Sequence, residues 1–206
     1  MSRLLVYHAH PAPRHSRANK AMARAARWID GVTWVDLYQD YPRFDIDADR
    51  EQARLLDHDV ILFQFPLFWY SSPAIIKEWF DITLEHGFAY GAGGTALEGK
   101  QMMLAVTAAG AEDAYTAEGY QHFPLRTFLT PMEQTARLCK MSFETPYVLY
   151  GALRAAEDHA LSDHAHGFAS LIQSIREDTY DFEAARQREV VRAADLTILC
   201  GERADG

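Results

Sequence analysis

A chain of 206 residues that is 49% hydrophobic and 12% aromatic has the make-up of one folded domain with a sizeable core, which excludes disordered, collagenous and small disulfide-stapled classes. Its 20 Lys and Arg against 29 Asp and Glu leave a formal charge of −9, so a broad basic surface for nucleic acid or anionic lipid is excluded as well. The two cysteines, Cys139 and Cys200, stand far apart without a CxxC, which fits a reducing, cytoplasmic setting.

The opening MSRLLVYHAHP holds an apolar run too short for a signal-peptide core or a spanning helix, so a soluble protein is expected. Leu4 to Tyr7 reads as a strand, followed by Pro11-Ala12-Pro13 and by Ser16 as N-cap for a helix carrying Ala18, Met22, Ala25, Ala26 and Ile29. Val32 to Leu37 is a second strand and Asp49 to Asp57 a second helix. Val60 to Phe65 is a third strand, ended by Pro66. After Ser71-Ser72-Pro73, the residues Ile75, Ile76, Trp79, Phe80 and Thr83 recur on one helical face. The Gly-rich stretch 91–94 is loop, Met102 to Val106 a fourth strand and Leu125 to Leu138 a helix. Tyr147 to Tyr150 belongs to a fifth strand, and Ala156 to about Arg176 forms a closing helix.

Strand and helix alternate, and the strands are continuously apolar. That pattern predicts an α/β fold: a doubly wound, five-stranded parallel sheet with helices on both faces. The expected domain covers 1–177, leaving 178–206 as a C-terminal extension that is either a further helix or partly disordered. For strand order 2-1-3-4-5, ligands bind beyond the carboxyl ends of strands one, three and four. Three loops converge there: His10 to Asn19, Pro66 to Ser71, and Thr107 to Gly110. The first puts hydroxyl, amide, imidazole and guanidinium groups at a helix N-terminus, a setting for phosphate, although an ordinary Ser cap accounts for Ser16 too. The second is aromatic where a loop is usually polar, so it either covers a flat apolar ligand or packs into the core. The third is small and rich in backbone donors.

Taken together and in this order, these loops resemble those of the flavodoxin-like NAD(P)H:quinone oxidoreductases, in particular the ancillary proteins of glutathione-regulated potassium-efflux systems (KefF/KefG type). The resemblance runs through most of 3–150. It is carried by HPxPxxSxAN at 10–19, LYQDYPRFDID at 37–47, PLFWYSSPAIIKEWFD at 66–81, HGFAYGxGGTALxGK at 86–100, and Thr107 to Gly110.

The resemblance implies FMN as cofactor, with FAD as the alternative, and NAD(P)H as co-substrate. His10, Ser16, Arg17, Ala18 and Asn19 would hold the flavin phosphate and ribityl chain. Leu67, Phe68, Trp69 and Tyr70 would line the ring, and Thr107, Ala108, Ala109 and Gly110 would meet its pyrimidine edge. The family more often has Thr-Thr-Gly-Gly at this last place, so Ala108 and Ala109 imply fewer side-chain contacts. Tyr115, eight residues after Thr107, matches a tyrosine that lies over the flavin and donates a hydrogen bond during hydride transfer; a plain loop aromatic is the competing reading. Its histidine partner would be His122, one step beyond the family's offset.

The implied reaction is two-electron, ping-pong transfer of hydride from NAD(P)H through the flavin to a quinone, or to an azo or nitro aromatic at the same site. A different class is also implied: a regulatory subunit docked on a potassium-efflux antiporter, with secondary or no reductase activity. A homodimer is expected, with an exposed apolar patch on the monomer around the third helix or the 86–100 loop. The expected location is cytoplasmic, at the inner face of the membrane when held there by a partner.

Other signals point elsewhere. Gly94 to Lys100 approximates GxxxxGK but lacks the following hydroxyl residue and precedes a strand. His159, Asp163 and His166 share a helical face that reads as solvated, and His8 with His10 is not an obvious chelating pair. Cys139 reads as a buried residue on an apolar helix.

Overall fold

Period-two alternation within the apolar runs sorts their side chains onto two faces of a parallel sheet. The computed structural model describes residues 1–155 and 159–201. In chain order it contains β1 (Leu4–His8), α1 (Ala18–Ala26), β2 (Val32–Asp36), α2 (Leu37–Asp40), α3 (Ala48–Leu56), β3 (Val60–Pro66), α4 (Ala74–Thr83) and β4 (Gln101–Thr107). After them come α5 (Thr130–Leu138), β5 (Ser142–Phe143), β6 (Tyr147–Leu149), α6 (Ala160–Arg176), α7 (Phe182–Arg186) and α8 (Leu196–Leu199). The sheet runs β2-β1-β3-β4-β5 with β6 also paired to β4, and all of these pairings are parallel. This is the flavodoxin-like order expected.

Leu5, Tyr7, Ile61, Phe63, Met102 and Leu104 face one way, against Ile75, Ile76 and Trp79 of α4 and Met132 and Ala136 of α5. Leu4, Val6, Val60, Leu62, Met103 and Ala105 face the other, against Met22 and Ala26 of α1 and the Phe168, Leu171, Ile172, Ile175 stripe of α6. That stripe has the i, i+3, i+4, i+7 spacing of one helical face. Within 178–201, Tyr180, Ala185, Val191, Leu196 and Leu199 join this second core.

Two elements differ from the sequence reading. The helix expected over 125–138 is a 3-10 turn at Leu125–Leu129 followed by α5. Pro131 has no N–H to carry one helix through, and it falls in the first turn of α5, where none is needed. The fifth strand is broken into β5 and β6 around Pro146, with the N–H of Glu144 still donating to Met102 O at 2.8 Å. The closing helix begins at Ala160, and positions 156–158 of its expected start lie outside the described residues.

Beneath α3 and α4 lies a buried polar node. The Glu51 carboxylate is fully buried and accepts from the Tyr7 hydroxyl, from the Tyr41 hydroxyl at 2.5 Å, from Trp79 Nε1 at 3.0 Å and from Arg54 at 2.6 Å. Arg54 is itself anchored on Asp40 at 3.0 Å. Burial first, and then Glu51 beside it, push the Tyr7 phenol far above its ordinary range, so it remains a donor.

Residues 94–100 lie at the opposite end of β4 from its carboxyl-end loop. Lys100 Nζ donates to the carbonyls of His58 at 2.6 Å and Leu56 at 3.2 Å. The lysine therefore ties this connection to the end of α3. Among the described residues, no group of three or more His, Cys, Asp or Glu is placed to hold a metal ion, and no helix is long and apolar enough to cross a membrane. Cys139 caps α5 at 1% exposure, where burial raises its thiol pKa.

Candidate functional site

Parallel pairing of β1, β3, β4 and β6 brings their carboxyl-end loops to one edge, where they enclose a cavity of about 580 Å³. His10, Ser16, Arg17, Ala18, Asn19, Leu67, Phe68, Thr107 and Ala109 line it. Arg14, His15, Ala152 and Leu153 line it too. The last two come from the loop after β6, a fourth contributor that the strand order alone would have supplied.

At the α1 end, Arg17 rather than Ser16 occupies the N-cap position, without a side-chain cap. Ser16 lies just before it, and its Oγ accepts from the Lys20 N–H at 3.2 Å. The first turn of α1 carries no acidic residue, so apart from the Lys20 N–H that Ser16 takes, its N–H groups and the helix dipole meet no opposing charge, as an anion site requires. His10 is nearly buried; its Nδ1 accepts from Ala12 N–H at 3.2 Å. Its ring meets Phe68 edge-on at 5.6 Å, joining the first loop to the second. Burial, and then the neighbouring His8, lower its pKa.

The aromatic loop is not core packing. Leu67 is buried, but Phe68 and Tyr70 are about half exposed and Trp69 is 93% exposed. Phe68 and Ser71 exchange both backbone hydrogen bonds at 3.1 Å, closing a two-residue turn in which Trp69 has φ 49° and Tyr70 φ 63°. Positive φ at both central positions is the geometry that ordinarily selects Asn-Gly. For bulky aromatics it costs of order 1–3 kcal/mol per residue, and such strain clusters at ligand clamps. Trp69→Gly is therefore expected to raise the stability of the ligand-free protein by about 1 kcal/mol, the relieved strain less the backbone entropy of glycine. Thermal unfolding measures this, and a loss of stability would show that the turn is not strained.

After β4, Ala108 is fully buried. Its N–H donates to Leu149 O at 2.8 Å and its carbonyl accepts from Ala152 N–H at 2.9 Å, so Ala108 fixes the loop and offers no donor. The Ala109 N–H has no backbone acceptor among the described residues, the Gly110 N–H is turned to the Tyr115 hydroxyl, and Gly110 O is held by Gly151 N–H at 2.7 Å. Small residues suit this place, because a Cβ on Gly110 would come within 3.0 Å of the Tyr115 ring.

Tyr115 is buried, packed between Phe128 and Tyr150 at ring distances of 6.2 and 5.6 Å. Burial raises its pKa, opposed by a backbone hydrogen bond from Gly110. Tyr70 reaches the same Phe128 ring at 5.0 Å, so the second loop and Tyr115 share one aromatic support. His122 is exposed in a left-handed turn, φ 60°. No hydrogen bond or ring contact joins it to Tyr115 among the described residues.

The sequence reading missed His8 and Gln64. Both are buried and joined at 2.5 Å, and Gln64 bonds to Asn19. A polar residue at the centre of the apolar run 60–65 was the signal for them.

A nucleotide-sized cavity beyond the carboxyl ends of a doubly wound sheet defines a class of ligand-binding α/β protein. The chain belongs to the family described as having the flavodoxin-like fold, which it matches over residues 2–172. It is 42% identical over 167 residues to the glutathione-regulated potassium-efflux system ancillary protein KefG of Cronobacter sakazakii, covering 81% of this chain and 90% of that one. Among solved structures it is similar to the general stress protein 14 of Treponema denticola in complex with FMN (30% identity, TM-score 0.78, 84% and 99% covered). It is also similar to an NADPH-quinone reductase from P. pentosaceus (27%, 0.69, 81% and 97%). A chain described as a thermophilic tryptophan halogenase from Streptomycin violaceusniger is similar as well (41%, 0.77, 80% and 95%).

Proposed function

We propose that this protein is an FMN-dependent NAD(P)H:quinone oxidoreductase of the potassium-efflux ancillary type. The observation that carries this reading is a single cavity lined by a helix N-terminus without acidic residues, by Phe68 at the head of a strained and exposed aromatic turn, and by Ala109 with its free backbone donor. These suit the three parts of a flavin nucleotide: phosphate, flat ring and pyrimidine edge. The FMN complex of the Treponema relative and the quinone-reductase relative support it.

When bound, FMN supplies the two-electron hydride chemistry. The chain supplies the rest. The first turn of α1, with Ser16 to Asn19, holds the phosphate. Phe68 and Trp69 cover the ring and exclude water. Ala109 offers its N–H to the polar edge of the ring. Tyr115, kept protonated by burial, holds a phenolic hydrogen for the acceptor.

The exposure of Trp69, Tyr70 and Phe123 favours a homodimer in which a second copy covers this side. The ancillary naming of the Cronobacter relative favours an additional role docked on an efflux antiporter. A variant unable to bind flavin that still co-purifies with the antiporter would separate that role from catalysis.

Purified protein is expected to be yellow, to release FMN rather than FAD as identified by mass, and to be bleached by NAD(P)H and recoloured by a quinone. A colourless protein that takes up neither flavin would overturn the enzymatic reading and leave the regulatory one.

A further inference from the structure

Four buried side chains from three strands and one helix form an unbroken line under the α1 end of the cavity. His8 Nδ1 lies 2.5 Å from Gln64 Oε1, Gln64 Nε2 lies 2.7 Å from Asn19 Oδ1, and Asn19 Nδ2 lies 2.8 Å from Thr107 Oγ1. All four residues are buried, Gln64 completely. Such a line is stable in only one of two directions at a time, because each amide has a donor end and an acceptor end.

The main chain fixes the direction. Gln64 Nε2 also faces the backbone carbonyl of Asn19 at 3.3 Å and Met22 Sδ at 3.6 Å. A carbonyl only accepts, so the Gln64 group facing it is the NH₂. Gln64 Oε1 then accepts, and His8 must carry its proton on Nδ1. Asn19 turns its oxygen to Gln64 and its NH₂ to Thr107. Thr107 Oγ1 therefore spends a lone pair on Asn19, and its own hydrogen is left over. Among the described residues that hydroxyl donates to nothing, and Thr107 lines the cavity.

We infer that His8 and Gln64 are positioning residues which, acting through Asn19, orient the Thr107 hydroxyl as a hydrogen-bond donor into the cavity, where it meets an acceptor atom of the bound heteroaromatic ligand. This deepens the flavin reading and rests on it for the identity of the ligand, but the direction of the line stands on the chain alone. Burial lowers the pKa of His8, which keeps the ring in the neutral form that the arrangement uses.

The deciding variant is Gln64→Glu, which preserves shape but replaces the NH₂ by an oxygen. Asn19 must then turn its NH₂ toward residue 64, its oxygen faces Thr107, and the hydroxyl is recruited inward. FMN binding, followed by quenching of flavin fluorescence, is expected to weaken about tenfold in Gln64→Glu and about tenfold in Thr107→Val, the scale of one hydrogen bond. The double variant is expected to lose no more than about tenfold, because both changes remove the same donor. Independent losses, about hundredfold together, would overturn the inference.

A second measurement needs no flavin and no variant. The imidazole nitrogen shifts of His8 in the ligand-free protein are expected to show the proton on Nδ1. A proton on Nε2 would reverse the line and end the proposal, even if FMN binds. If the wild-type protein takes up no FMN, the flavin reading fails while the tautomer still decides the direction.

Discussion

Replacing Glu51 by alanine is expected to destabilise the fold by about 3–5 kcal/mol, the cost of breaking a buried charged pair from one side. The carboxylate gathers two phenols, an indole N–H and a guanidinium in a place without water access. Its removal leaves those donors buried and unmatched, each costing about 1–3 kcal/mol before relaxation. At roughly 2–4 °C per kcal/mol for a chain of this size, the melting temperature should fall by about 6–20 °C. The node ties α3 to β1, α4 and the turn after α2, so the loss should appear as cooperative unfolding of the whole sheet. A drop below about 1 kcal/mol would mean that the site relaxes or admits water and that the apolar face alone holds these elements together.

Ser16→Asp separates the capping and ligand-binding roles of one position. Aspartate can accept the Lys20 N–H as Ser16 does, and a carboxylate beside a helix N-terminus adds about 0.3–1 kcal/mol. The ligand-free protein should therefore melt no lower than wild type. A phosphate brought to the same place meets a like charge, worth about 4 kcal/mol at 4 Å in a partly screened setting. FMN affinity should fall by at least about hundredfold. Calorimetric titration together with thermal unfolding of the apoprotein measures both sides. Affinity within about threefold of wild type would place the phosphate elsewhere and remove α1 from the ligand.

The sheet order was legible because apolar runs such as Val60 to Phe65 have nowhere to go but a doubly covered sheet, and because Pro and Gly mark their ends. The three loops were legible for the same reason, since topology alone brings strands one, three and four side by side. What stayed hidden depends on partners distant in sequence. The fate of the Ala108 N–H is set by Leu149, forty-one positions away, and no local pattern announces it. The left-handed turn at Trp69 and Tyr70 runs against their residue types, so propensity argues for the wrong conformation there. Gln64 looked like an interruption in an apolar strand until Asn19 and His8 supplied its partners. The separation of Tyr115 from His122 follows from the turn at Gly119 to His122, which spacing alone does not specify.

The segment after α6 has one more effect, on how copies of the chain can meet. Val191, fully buried, lies parallel to Tyr147; it donates to Pro146 O and accepts from Val148 N–H, each at 2.9 Å. It thereby occupies the outer hydrogen-bonding groups of β6, the kind of open rim that invites strand-to-strand addition and fibre growth. A chain cut off at the end of α6 would bare that rim together with the apolar seats of Leu196 and Leu199. Its first symptom would be ordered self-association of intact domains, before any loss of the nucleotide-sized cavity.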